Sequence, residues 1–377
     1  MAYKTASTRE TWAEIRLDYI QYNVRETKKQ FDQDIHVMAM VKADGYGHGA
    51  VETAKAALAA GAEFIGVALF DEALELRDAG IAAPILVLGR TRPEDAAIAA
   101  KRHIRLTAFQ KEWLLEAESH LEVGTTLSIH IKLDTGMGRF GLVEDAEIHD
   151  FMQTLKICSR LKAEGLYTHF ATADEKEADY FQQQYACFLE RIQLVKTHID
   201  TFDFIHCGNS AASLRYPDQC FNMIRLGIAM YGLSPSKEVE DEFPFPLKTA
   251  FSLHSRIAQV KKVPAGTNIG YGCTYVSDTE EWIATIPIGY ADGWYRWHAK
   301  NGEVLVNGRR APIVGRICMD QVMIRLPVHA PVGTKVTLVG SQGDEVITVM
   351  EVAERLQTIT YEIPCMISHR VPRLYIK

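Results

Sequence analysis

The chain has 377 residues, 47% of them apolar and 24% charged, with 26 Gly and 13 Pro, which excludes a disordered, collagen-like or coiled-coil protein. Forty-one basic against 48 acidic side chains leave a net charge of −7, which disfavours binding to a phosphate backbone as the main task. At roughly 150 residues per domain the length predicts two domains, or one barrel of about 250 residues with a smaller partner.

The N-terminal run MAYKTASTRETWAEIR has no hydrophobic signal core. The longest apolar stretches, such as 81–89, fall far short of the ~20 residues of a bilayer-spanning helix. Cys158, Cys187, Cys207, Cys220, Cys273, Cys318 and Cys365 are odd in number and scattered, with no CxxC spacing, as expected in a reducing compartment. These features predict a cytoplasmic enzyme without a metal site.

In chain order, residues 12–17 read as a strand ahead of Asp18, a candidate helix cap. Short apolar, β-branched runs follow at 36–41, 64–68, 84–88, 104–106, 127–133, 162–169, 202–206 and 222–226. Helical patterns lie between them, among them 71–79 with Gly80 as its stop, and the long pattern 173–199. Eight strands with intervening helices fit an α/β fold, a closed TIM (β/α)8 barrel, better than an open sheet. After Pro244 and Pro246 strand signals dominate: 303–306 and 311–314 flank the hairpin turn Asn307-Gly308, 336–339 is a further strand, and 349–357 is a helix. The expected division is a barrel over 1–240 and a mostly β C-terminal domain over 241–377, with residues 1–17 pairing with the latter.

In a barrel of this kind the chemistry gathers at the C-terminal ends of the strands. The first strand runs into Lys42-Ala43-Asp44-Gly45-Tyr46-Gly47-His48-Gly49, a lysine followed by three glycines that leave backbone room for a ligand. For a lone lysine, pairing with Asp44 at a turn is the commoner outcome. The fifth strand ends in Lys132-Leu133-Asp134, leading to Arg139, and the sixth ends at His169, which could equally be a satisfied core imidazole. The seventh leads to Gly208-Asn209-Ser210, and the eighth carries Arg225-Leu226-Gly227-Ile228. An arginine in an apolar strand is costly to bury without a specific acceptor. The loops after strands seven and eight are where barrels commonly hold phosphate, and Asn209-Ser210 and Gly227-Ile228 supply the groups. A lysine facing a phosphate cradle suggests pyridoxal 5′-phosphate held covalently, and equally fits a sugar-phosphate aldolase, which would not need the second domain.

The run from Ala39 to Gly49, with Asp134–Gly141, 168–171, 209–212, 225–232, 270–272, 289–293, 318–320 and 370–375, resembles the bacterial alanine racemases, in order and over nearly the whole chain. The departure is Gly45, where an Ala is more usual. The resemblance implies a pyridoxal-phosphate enzyme of fold type III, a homodimer with shared active sites that interconverts L- and D-alanine by two bases and supplies D-alanine for peptidoglycan. It implies that Lys42 carries the cofactor and is one base, and that Tyr271, delivered by the partner subunit, is the other. It further assigns Tyr46, Asn209, Ser210, Gly227, Ile228 and Tyr375 to the phosphate, Arg225 to the pyridine nitrogen with His169 nearby, and Arg139, Met319, Tyr271 and Tyr290 to the substrate. Lys132 matches a position carbamylated in some members, where it would bridge to Arg139. An arginine at the ring nitrogen donates only, so the nitrogen stays unprotonated and transamination is suppressed. The alternative is a serine or broad-specificity racemase. A decarboxylase of this fold would carry a carboxylate in place of Arg225, and a non-catalytic cofactor carrier would lack the β domain.

Overall fold

The computed structural model describes residues 8–32 and 34–377. Residues 1–7, part of the segment assigned above to the first domain, lie outside the described residues. Two compact units form: one from Ile20–Gly45 and Ala50–Lys248, the other from the N-terminal residues through Tyr19, Tyr46–Gly49 and Thr249–Lys377.

The first unit is a closed parallel barrel of eight strands: His36–Met40, Phe64–Val67, Ile85–Val87, Ile104–Ala108, Leu127–Lys132, Leu161–Tyr167, Phe204–His206 and Met223–Leu226. Each strand pairs with the next, and the last closes on the first with Arg225 opposite Met38. The strands are short, apolar and almost wholly buried, as a parallel sheet covered by helices requires. The helix predicted to start at 173 begins instead at Asp179 and runs to Lys196. Arg215 explains the late start: its guanidinium takes the carbonyls of Ala173 and Glu175, which a helix would need for its own first bonds.

The second unit is a sheet of ten strands among the described residues, mostly antiparallel. Thr11–Arg16 lies inside it, antiparallel to Phe251–Arg256 and parallel to Arg373–Ile376. Asp18 does not cap the following helix Leu17–Lys28 but sits in its first turn, accepting from Arg16 at 2.7 and 2.9 Å. Asn307 and Gly308, at φ +50° and +71°, make the hairpin turn between Glu303–Val306 and Arg309–Val314. No helix among the described residues is long and apolar enough to cross a membrane.

Candidate active site

Lys42 leaves the first barrel strand half-buried, two residues after Met40. The backbone then makes one left-handed turn, with φ near +50 to +60° at Ala43, Asp44, Gly45 and Tyr46. Three non-glycine residues in this region store strain that the surroundings must hold. Two carboxylates hold it. Glu72, in the first turn of Phe70–Asp78, accepts the N–H of Ala43 at 2.6 Å, and Asp44 accepts that of Ala50 at 2.9 Å. The Asp44 carboxylate is thus engaged in shaping the turn.

Arg225 is almost wholly buried in the barrel, 3% exposed. One terminal nitrogen (Nη1) donates to His206 Nδ1 at 2.9 Å, and the other (Nη2) to the carbonyls of Thr168 and Cys207 at 2.9 Å and to His169 Nδ1 at 3.1 Å. Tyr167 stacks on His206 with ring centres 4.7 Å apart and lies 5.4 Å below the Arg225 guanidinium. His169 is driven well below the ordinary imidazole range by burial first, then by Arg225, Arg139, Lys132 and Lys42. It is therefore a neutral ring.

Lys132 is 3% exposed and lies 5.4 Å from the Tyr167 ring. Burial, reinforced by Arg139 and Arg225, pushes its amine down to about 7. Arg139 stands exposed on a loop built by Asp134, whose carboxylate accepts the N–H groups of Gly136, Gly138 and Arg139 at 2.9–3.0 Å. Lys42, Lys132, Arg139, Arg225 and His169 thus share one electropositive mouth.

Beside them, Asn209 caps the helix Ser210–Arg215, its side chain accepting Ala212 N–H at 3.0 Å. The buried Ser210 hydroxyl accepts the N–H of Gly227 at 2.9 Å and of Ala229 at 3.3 Å. With both lone pairs taken, its own proton is left to donate to an anion. Gly227 N–H is therefore engaged by Ser210, while the cap takes up only the Oδ1 acceptor of Asn209 and leaves its side-chain amide to donate.

In the other unit, Tyr271 opens a short turn and is 70% exposed. A Cβ on Gly272 would come within 2.9 Å of the Arg316 guanidinium, so that cation lies against the Tyr271 turn. Tyr290 and Met319 are brought together: Tyr290 N–H donates to Cys318 and Ala291 N–H to Met319, both at 3.1 Å. Asp292 fixes this turn by accepting Gly289 N–H at 2.9 Å while Arg9 grips it at 2.6 Å through both terminal nitrogens. Tyr375 lies over the glycine turn that follows Tyr46; a Cβ on Gly49 would overlap its hydroxyl at 1.9 Å, so only glycine fits there. Tyr46 is buried, and burial raises its phenol. Glu72, His206, Asp292 and Arg316 were not anticipated. Only Arg316 had a signal, as a cation directly before Ile317-Cys318-Met319-Asp320.

A closed barrel with a lysine at the end of its first strand and a cationic mouth, joined to a β unit rich in exposed tyrosines, defines the class as a lysine-centred barrel enzyme. Residues 15–235 match the family model "Alanine racemase, N-terminal domain" and residues 250–375 "Alanine racemase, C-terminal domain". The chain belongs to the alanine racemase family. It is 54% identical to the alanine racemase of Geobacillus stearothermophilus over 98% of this chain and 94% of that one. A solved structure of alanine racemase from Bacillus anthracis with bound L-Ala-P superposes with a TM-score of 0.96 at 51% identity, covering 99% of this chain and 96% of that one. A histidine racemase from Leuconostoc mesenteroides subsp. sake superposes with a TM-score of 0.91 at 32% identity, covering 99% of each chain.

Proposed function

We propose that the protein is an alanine racemase, an isomerase interconverting L- and D-alanine in the cytoplasm with pyridoxal 5′-phosphate, working as a homodimer whose sites are shared. The observation that carries this is the Ser210 hydroxyl: saturated as an acceptor by Gly227 and Ala229, it keeps its own proton to donate, on the loop that follows the seventh barrel strand. The donor set fits the cofactor. Ser210, Ile228, Tyr46 and Tyr375 would hold its phosphate, with Asn209 and Gly227 shaping the cradle, Arg225 would meet the pyridine nitrogen, His169 would lie alongside, and Lys42 would bind it covalently.

Bound there, pyridoxal 5′-phosphate supplies the electron sink that loosens the hydrogen on the carbon next to the substrate nitrogen. Arg139, standing free on the Asp134 loop, binds the substrate carboxylate with the partner's Met319 and Tyr290. Lys42 holds or returns a proton on one face of the α carbon, and the partner's Tyr271 does so on the other. Among the cations of its own unit, Arg316 lies against the Tyr271 turn. Arg225 remains a pure donor, so its partner nitrogen takes no proton from it and charge stays near the α carbon.

Tyr271 is exposed within its unit, which supports its service to a second chain. Mixing equal amounts of Lys42→Ala and Tyr271→Ala chains tests this together with the chemistry. Shared sites return about a quarter of wild-type racemisation, since half of randomly mixed dimers hold one intact site of two. No recovery overturns the shared site. Colour on cofactor addition without loss of optical activity from L-alanine overturns the racemase. The histidine racemase relative supports a second reading, a broader or different amino-acid substrate, for which a panel including serine and histidine with chiral product separation is decisive.

A further inference from the structure

The partners of Arg225 are neutral at every contact: two carbonyls and two imidazoles. A guanidinium this deeply buried needs its acceptors held firmly in place, and an ionised group can anchor them. The nearest chain of contacts that reaches one runs along the barrel interior. His206 accepts from Arg225 through Nδ1, and its Nε2 lies 2.9 Å from Nδ1 of His130, whose own Nε2 faces Glu164 Oε2 at 3.5 Å. Arg105 closes the far end, gripping both Glu164 oxygens at 2.8 and 3.2 Å. All five groups rise from barrel strands, and His130 and His206 are completely buried.

The room for this chain is made by the backbone. The pairing of Leu127–Lys132 with Leu161–Tyr167 slips between Ile129 and His130, and Gly165 stands opposite. A Cβ on Gly165 would come within 2.4 Å of His130 Nδ1, so a residue larger than glycine cannot coexist with the ring in place. Phe204 stacks flat on His130, with centres 6.1 Å apart and 12° between planes.

The chemistry of the ends dictates every proton between them. Arginine donates and never accepts, so His206 Nδ1 is bare and its proton sits on Nε2. That proton points at His130 Nδ1, which must also be bare, leaving the His130 proton on Nε2, the nitrogen that approaches the carboxylate to 3.5 Å without a hydrogen bond in place. We propose that His130, Glu164 and Arg105 are positioning residues of this enzyme: from the far end of the barrel interior they fix the ring of His206, and through it they hold Arg225 in place. Glu164 is the anchor of the chain, two imidazoles away from Arg225 and itself paired with Arg105. Burial alone would raise the Glu164 carboxyl, yet His130 and Arg105 hold it down at about 2, so it stays ionised. Burial keeps both imidazoles below their ordinary range, hence neutral. The inference rests on the reading of Arg225 as the cation that faces the cofactor.

The test is nitrogen NMR of the full-length holoenzyme labelled with 15N histidine, with Glu164→Gln beside it. In the wild type, His206 and His130 show a bare Nδ1 and a protonated Nε2. A proton on either Nδ1, or a doubly protonated ring, overturns the proposal. Glu164→Gln keeps the shape but can donate to His130, which disturbs the tautomer of both rings. It also lowers kcat about 5–20-fold in both directions with the alanine KM changed less than about twofold, as loss of a transition-state contact does. Glu118→Gln, which breaks the Arg160 contact at 3.0 Å on the same unit, lowers stability and leaves the histidine signals alone. If Glu164→Gln behaves like Glu118→Gln, the chain is a structural ion pair and the proposal fails. A wild type that shows the expected nitrogen signals but does not racemise sinks the functional reading and leaves the chain standing.

Discussion

Tyr231 donates its hydroxyl proton to the carbonyl of Met40 at 2.8 Å, a buried bond at the seam where the last barrel strand closes on the first. It ties the turn Ile228–Tyr231, beside the Ser210 cradle, to the strand end that presents Lys42. The two ends of the proposed cofactor site are thereby held at one spacing.

Tyr231→Phe keeps the ring packing and leaves the Met40 carbonyl without this donor. The expected cost is about 1–3 kcal/mol of stability. Cofactor dissociation should rise several-fold, because phosphate cradle and lysine are no longer held together. Denaturant melts and titration with pyridoxal phosphate measure the two effects. A stability loss with unchanged cofactor affinity would show that the bond serves the barrel alone.

Tyr271→Ala separates catalysis from folding. The side chain is 70% exposed within its unit, so the free energy of unfolding should change by no more than about 0.5 kcal/mol. Deuterium exchange from L-alanine should slow far more than exchange from D-alanine, since one face alone loses its base. Equal slowing in both directions contradicts two opposed bases.

These contacts show where sequence reasoning reaches and where it stops. The barrel strands are legible because each is a short apolar run bounded by turn residues, and Arg225 stands out as a charge inside one. The Lys42 and Ser210 loops are legible because glycine, lysine and serine fall together at strand ends. Glu72 is not, since in sequence it is only an acid in the first turn of a helix, and its grip on Ala43 depends on the barrel bringing position 43 beside position 72. His130 reads as a core histidine in Leu-Ser-Ile-His-Ile-Lys, and only the slip opposite Gly165 turns it toward His206. The helix start at Asp179 was displaced by Arg215, a residue more than thirty positions later. Local pattern fixes elements; pairing between distant segments fixes polar partners.

Gly45→Ala probes the left-handed turn after Lys42. Gly45 sits at φ +61°, and an added Cβ would meet Ala50 N and Thr53 Oγ1 at 3.2 Å. The backbone penalty of about 1–2 kcal/mol should appear as lost stability. Racemisation should survive, because Ala43 and Asp44 already hold the same conformation and the Glu72 and Asp44 contacts are untouched. Loss of cofactor binding in a folded variant would mean that the turn cannot accommodate a methyl group without moving Lys42.

Lys132 carries the clearest pH dependence. Its amine is lowered from 10.5 to about 7 in the folded chain, by burial first and then by Arg139 and Arg225. Below about pH 7 the folded protein must keep a buried ammonium, a cost on the order of 5 kcal/mol. Between about 7 and 10.5 the unfolded chain binds the extra proton, so stability rises with pH across that window and the cost vanishes above it. Lys132→Met should therefore be more stable than the wild type at pH 6, with the advantage shrinking toward pH 10, in unfolding curves taken at matched conditions. An advantage that stays constant across the window would mean that Lys132 titrates normally. The same neutral amine is the form that captures carbon dioxide, and a carbamate there would convert the neighbour of Arg139 from a neutral amine to an attracting anion. Bicarbonate near pH 8 should accordingly stabilise the wild type and not Lys132→Met, with a 13C carbamate signal present only in the former. Stabilisation of both chains alike would assign the effect to the anion rather than to Lys132.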